Sequence, residues 1–141
     1  METRLMAHDG QHDLMVSTPI LENILGLARE TIKPLEILND KAVNKLRELV
    51  TMEGKVSTSL IETHQSVAHG VAWLATYAES VSQMVKWAEN LSQEKKFGQP
   101  EQLLLQIGVS EYLRQIVGGI MMSQGEIFRL SDIGLNTLDL S

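Results

Sequence analysis

The sequence predicts an all-α fold, a bundle of four main helices with a short C-terminal helix. Three observations predict it. Apolar residues recur at steps of three and four along most of the chain, the spacing that gathers them on one side of a helix. No segment sustains the two-residue alternation of a half-buried strand. Proline occurs only three times in 141 residues, while Leu, Glu, Gln, Ala and Met are abundant.

Residues 1–17 are polar and aperiodic and read as a flexible N-terminal tail. The bundle is expected over residues 18–135, with residues 136–141 as a C-terminal tail. Thr18 can cap a first helix, Pro19 suits its first position and Glu22 its first turn. Ile20, Ile24, Leu27 and Ala28, flanked by Leu21 and Leu25, give that helix an apolar side as far as about Ile32. Pro34 marks the expected boundary, because the residue before a proline avoids the helical region. A second helix follows from about Pro34 to Met52. Its Leu35, Leu38, Ala42, Leu46 and Leu49 are spaced 3, 4, 4, 3, and Gly54 supplies the stop.

Residues 56–96 carry the strongest pattern. Leu60, His64, Val67, Val71, Leu74, Ala78, Val81, Val85 and Ala88 alternate steps of 4 and 3. A neighbouring stripe of Trp73, Tyr77, Met84, Trp87 and Leu91 follows the same steps, with Ser80 interposed. Two adjacent stripes make an apolar face wider than one helix–helix seam. Unbroken, this segment would run ~60 Å, about twice the width of a small domain, so a break or bend is expected near Gly70. Lys95 and Lys96 favour the last turn, and Gly98 with Pro100 closes it. The fourth helix extends from about Pro100 to Val117 on Leu105, Val109, Tyr112 and Ile116, widened by Leu104 and Leu113, and ends at Gly118-Gly119. Ser123-x-x-Glu126 is a capping-box pattern for a short last helix containing Ile127, Phe128 and Leu130. The expected core is Leu60, Val67, Val71, Leu74, Val81, Leu105, Val109 and Ile116.

Composition excludes several classes of function. Lys and Arg number 12 against 18 Asp and Glu, a net charge of −6 without a basic run, which argues against binding a phosphate backbone. The absence of Cys excludes disulfides, thiolate zinc sites, iron–sulfur clusters and cysteine nucleophiles. No apolar run approaches the ~18 residues of a membrane span, and residues 1–15 lack the apolar stretch of a secretory signal. The expectation is a cytoplasmic protein with neither membrane nor nucleic acid as partner.

The four histidines do not assemble a catalytic or metal site. His8 and His12, interleaved with Asp9 and Asp13, read as a solvated tail. His64 and His69 are five residues apart, ~140° around a helix, and cannot share one face. No Glu has His three residues on, as the carboxylate-bridged di-iron bundles require. His64, on the main apolar stripe, is read either as a core-edge histidine or as a polar register device or proton-linked switch. Acidic residues are scattered singly, and GxGxxG, P-loop and GxSxG patterns are absent. No catalytic, cofactor-binding or metal residue is therefore assigned. Met121-Met122 beside Gly118-Gly119 fits a soft contact surface or core filler equally.

Residues 62–78, ETHQSVAHGVAWLATYA, and 97–135, FGQPEQLLLQIGVSEYLRQIVGGIMMSQGEIFRLSDIGL, resemble the N-terminal helical extension of bacterial methylsuccinyl-CoA dehydrogenases, flavin enzymes of the acyl-CoA dehydrogenase family. Phe97-Gly98 and Gln115-Ile116-Val117-Gly118-Gly119, with Arg129 and Asp132 after them, are similar to motifs of that family's helical C-terminal domain. The departures matter as much. Glu94 stands where the family's flavin-pyrophosphate arginine would be, and only 18 residues separate Phe97 from Gln115. The segment bearing the family's catalytic glutamate has no counterpart. FAD, by this resemblance, belongs to the parent enzyme and to no residue of this chain.

The chain ends at Ser141, where such an enzyme would begin its catalytic core, so the expectation is the extension alone. The resemblance implies a non-catalytic accessory or assembly domain that covers a helical face of an acyl-CoA dehydrogenase core. The alternative is a free-standing, self-associating helical adaptor or regulatory bundle. In both, Trp73, Tyr77, Met84 and Trp87 of the second stripe, with Met121 and Met122, are the expected interface, since aromatic residues and Met are enriched at interface centres. The partner is then the catalytic core or a second copy. The competing expectation is that the first two helices fold back and cover this stripe.

Overall fold

The computed structural model describes residues 20–140. The expected tail, the cap at Thr18 and the His8/His12 pair lie outside them. The fold is the all-α bundle that the periodicity predicts. Its helices are α1 (Ile24–Glu30), α2 (Ile32–Val50), α3 (Thr58–Thr63), α4 (Gln65–Gln93) and α5 (Gln99–Gly118). Two minimal antiparallel hairpins interrupt them. One pairs β1 (Thr51–Met52) with β2 (Lys55–Val56), and the other pairs β3 (Ile120–Met121) with β4 (Ile127–Phe128).

α4 is the spine. It packs against α2, α5 and α1, and against the β3–β4 hairpin. Val71, Leu74, Val81 and Val85 of α4 are buried, as are Leu35, Leu38 and Ala42 of α2 and Leu105, Val109 and Ile116 of α5. Of the expected core only Leu60 and Val67 are half-buried, both near the bundle's end, where α3 turns into α4. Leu104, expected to widen the core, is 60% exposed.

The breaks fall elsewhere than the sequence suggests, each for a local reason. α1 begins at Ile24 and not upstream of Glu22, because Asn23 takes a left-handed conformation (φ 53°) that cannot continue a right-handed helix. Pro34 lies inside the first turn of α2, where its missing N–H is no loss. A proline ring clashes with the carbonyl four residues upstream, here Glu30, and that is where α1 stops. The long segment breaks at His64 (φ −105°, ψ 24°), leaving Gly70 inside an unbroken α4 of 29 residues, ~43 Å long. α4 then ends at Gln93, and Lys95, with φ 57°, takes the left-handed position before Gly98 is reached.

The capping-box reading of Ser123 and Glu126 is overturned. These two residues close the β3–β4 turn, Ser123 N–H donating to the Glu126 carbonyl at 3.3 Å and Glu126 N–H to the Ser123 carbonyl at 3.4 Å. Ile127 and Phe128 are then strand and not helix. The cap comes three residues later, where the Asp132 carboxylate accepts the Arg129 N–H at 2.7 Å and opens a 3-10 turn over Leu130–Ile133. Beyond Gly134, residues Thr137–Leu140 form a second 3-10 turn. Lys41 Nζ of α2 donates to Asp139 Oδ1 at 2.9 Å and holds this turn on the bundle.

Candidate interaction surface

Two contacts fix how α4 and α5 run past each other. Tyr77 OH donates to Gln115 Oε1 at 2.8 Å, and Met84 Sδ lies where a Cβ on Gly108 would come within 2.6 Å of it. Residue numbers rise on one helix as they fall on the other, so the pair is antiparallel. One turn beyond Met84, Trp87 of α4 therefore reaches the same end of the seam as Leu104 of α5. Gly108 lets the two backbones approach at that point, because any side chain there would displace the methionine.

The six expected interface residues separate. Tyr77 is buried and leaves the surface set. Its ring stands edge-on to Tyr112, with centroids 4.6 Å apart, and Trp73 meets it edge-on at 6.0 Å. Burial, then the neighbouring Tyr112 and Glu111, push its phenol above the usual tyrosine range. Trp73 and Met84 are half-buried and pack against the core, as does Met122. Trp87 is 39% exposed and Met121 60%.

Sequence reasoning missed Leu104 and Ile107, which are 60% and 57% exposed on the outer side of α5. A signal for them was present. Leu103, Leu104 and Leu105 are consecutive, and three consecutive helical positions span about 200° of the circumference, more than one core face can cover.

Charge distribution distinguishes this side of the molecule. The 19 residues of α2 include Lys33, Glu36, Asp40, Lys41, Lys45, Arg47 and Glu48. The 29 residues of α4 include only Glu79, Lys86 and Glu89, and the 20 of α5 only Glu101, Glu111 and Arg114. Charge depletion together with exposed aromatic and aliphatic groups is the compositional signature of an interface centre. A second exposed apolar set, Met52, Val56 and Ile61, lies at the β1–β2 hairpin and α3. Glu53, Lys55 and Glu62 stand among those residues in sequence, as Lys86, Glu89 and Glu101 stand beside Trp87 and Leu104.

Among the described residues no three His, Asp or Glu side chains form a metal-ligand group, and no helix is long and apolar enough to cross a membrane. The residues of the flavin-family motifs are engaged in structure. Gln115 accepts the Tyr77 hydroxyl, Asp132 caps the Arg129 turn, the Gly98 N–H donates to the Glu101 carboxylate at 2.9 Å, and the Glu94 carboxylate pairs with Lys96 at 2.7 Å.

No family model matches the chain. It is 47% identical over 121 residues to (2S)-methylsuccinyl-CoA dehydrogenase of Cereibacter sphaeroides. The chain resembles one segment of that dehydrogenase. The alignment covers 86% of the chain and 22% of the dehydrogenase, so the chain spans about a fifth of its relative's length. The methylsuccinyl-CoA dehydrogenase likeness expected from residues 62–78 and 97–135 thus extends over most of the bundle.

Proposed function

We propose that this chain is a helical accessory domain of an FAD-dependent acyl-CoA dehydrogenase of the methylsuccinyl-CoA dehydrogenase kind, without catalysis of its own. Its role is to cover an apolar helical face of the catalytic core, in the cytoplasm. One observation carries the reading: the similarity spans most of this chain but only 22% of the dehydrogenase, so the bulk of that enzyme lies in other segments. The charge-poor side of α4 and α5, with Trp87, Leu104 and Ile107 exposed, supports it as the contact face. FAD is held by the core.

Sedimentation velocity at micromolar concentration tests the reading, using the catalytic portion of a methylsuccinyl-CoA dehydrogenase lacking its own matching segment. Wild type is expected to co-sediment with it, and Trp87→Glu or Leu104→Glu to lose the complex while keeping a helical circular dichroism spectrum. The isolated chain is expected to purify colourless and to oxidise no acyl-CoA thioester. Self-association without any affinity for the core would favour the adaptor reading. A chain that ignores both the core and itself would overturn the assignment.

A further inference from the structure

His69 sits on α4 between an indole and a carboxylate. Trp73 Nε1 donates to His69 Nε2 at 3.0 Å. As the acceptor of that bond Nε2 carries no proton, which leaves the ring hydrogen on Nδ1 in this arrangement. Nδ1 faces Glu126 Oε2 across 3.9 Å, beyond hydrogen-bond reach. Glu126 belongs to the β3–β4 turn, and its other oxygen, Oε1, accepts from Ser66 Oγ at 2.6 Å. His69, Ser66, Gln65 and Glu126, with Glu62 and Thr63 of α3, line one open pocket of about 370 Å³.

Among the described residues the charged groups facing His69 are therefore Glu62 from α3 and Glu126 from the hairpin, both anionic. On its own helix, His64 at the junction lies about 140° round. Arg129, the cation that follows β4, rests against Gly119 instead.

We propose that His69 is a proton-operated latch between α4 and the β3–β4 hairpin. A second proton on the ring must go to Nε2, where it meets the Trp73 N–H donor to donor, so the indole bond breaks. The imidazolium is drawn to Glu126, and the 3.9 Å gap closes into a charge-assisted hydrogen bond. Acidification thus exchanges a bond within α4 for one that ties the hairpin to it. Histidine is the side chain whose charge changes within the mild range of pH 5 to 8, so no other group is needed to work the latch. The geometry is independent of the accessory-domain reading.

The test uses Trp87→Phe, which leaves Trp73 as the sole indole. Between pH 8 and pH 5 its emission is expected to fall, because an imidazolium beside an indole quenches it. Over the same range, exchange of the Met122 amide, which donates to the Glu126 carbonyl, is expected to slow once corrected for intrinsic rates. Adding His69→Gln keeps an acceptor for Trp73 and should abolish both responses. Adding Glu126→Gln should abolish the Met122 response and leave the emission change. Emission that is flat over this range, or a Met122 response unchanged by Glu126→Gln, would overturn the latch.

Discussion

Gly70 shows how one residue can position an element that its own helix never predicts. A Cβ there would overlap the Phe128 ring, and Phe128 is 2% exposed with nowhere to retreat. The missing side chain is thus the socket that seats β4 on α4. Gly70→Ala gains ~1 kcal/mol of helix propensity. It also overpacks a filled site, at a cost of ~1–3 kcal/mol, and unseats the hairpin. Net destabilisation is expected by urea denaturation. Gly118, with nothing near its missing Cβ, is the control, and Gly118→Ala should be neutral or slightly stabilising. This pairing is not legible in the sequence, because the socket and the ring are far apart along it and neither has a periodic signal. Tyr77 is hidden for a similar reason. Its position on the second stripe marks it as apolar surface, and only the Gln115 acceptor, 38 residues away, makes burial of its hydroxyl tolerable.

Among the elements, α2, α4 and α5 are legible because they are long and their apolar faces repeat over many turns. Leu74, fully buried at the middle of α4, is where that repetition matters most, and Leu74→Ala is expected to cost ~2–5 kcal/mol in thermal or urea melts. The short elements are not legible. A two-residue strand has no alternation to read, and Ser123-x-x-Glu126 satisfies a helix cap and a hairpin turn equally well. The C-terminal 3-10 turn is equally silent in sequence, since the Lys41–Asp139 ion pair, the turn's own hydrogen bonds and the packing of Leu140 hold it, none of them periodic. The hydrogen bond from Lys41, then that from the Asn136 N–H, holds the Asp139 carboxyl below the usual aspartate range. A depressed carboxyl contributes stability above its unfolded value of about 4, and that contribution is lost as pH falls through the lower folded value. Acid melts of the wild type should therefore show a steeper loss below about pH 4 than those of Asp139→Asn.

Taken whole, the molecule is unevenly charged, α2 richly and α4 and α5 sparsely for their length. Periodicity shows that two apolar stripes exist on α4 but not which one its neighbours will cover. That depends on where α1 and α2 settle, a tertiary outcome. Leu104 is left outside, so charging it should scarcely affect folding. Leu104→Glu is expected to move stability by no more than ~0.5 kcal/mol, measured by thermal unfolding of the isolated chain. A loss of several kcal/mol would place Leu104 in the core. The arrangement also imposes an order on synthesis. α1 rests on α5, and the Leu21 N–H finds its acceptor on Gln106, 85 residues later. At ribosomal speeds of about 5–20 residues per second, Ile24 and Ala28 wait on the order of 4–17 seconds for that surface to emerge. Through that interval α1 has α2 and then α4 to rest on but not α5, and the apolar surface left open is a natural docking target for a ribosome-associated chaperone.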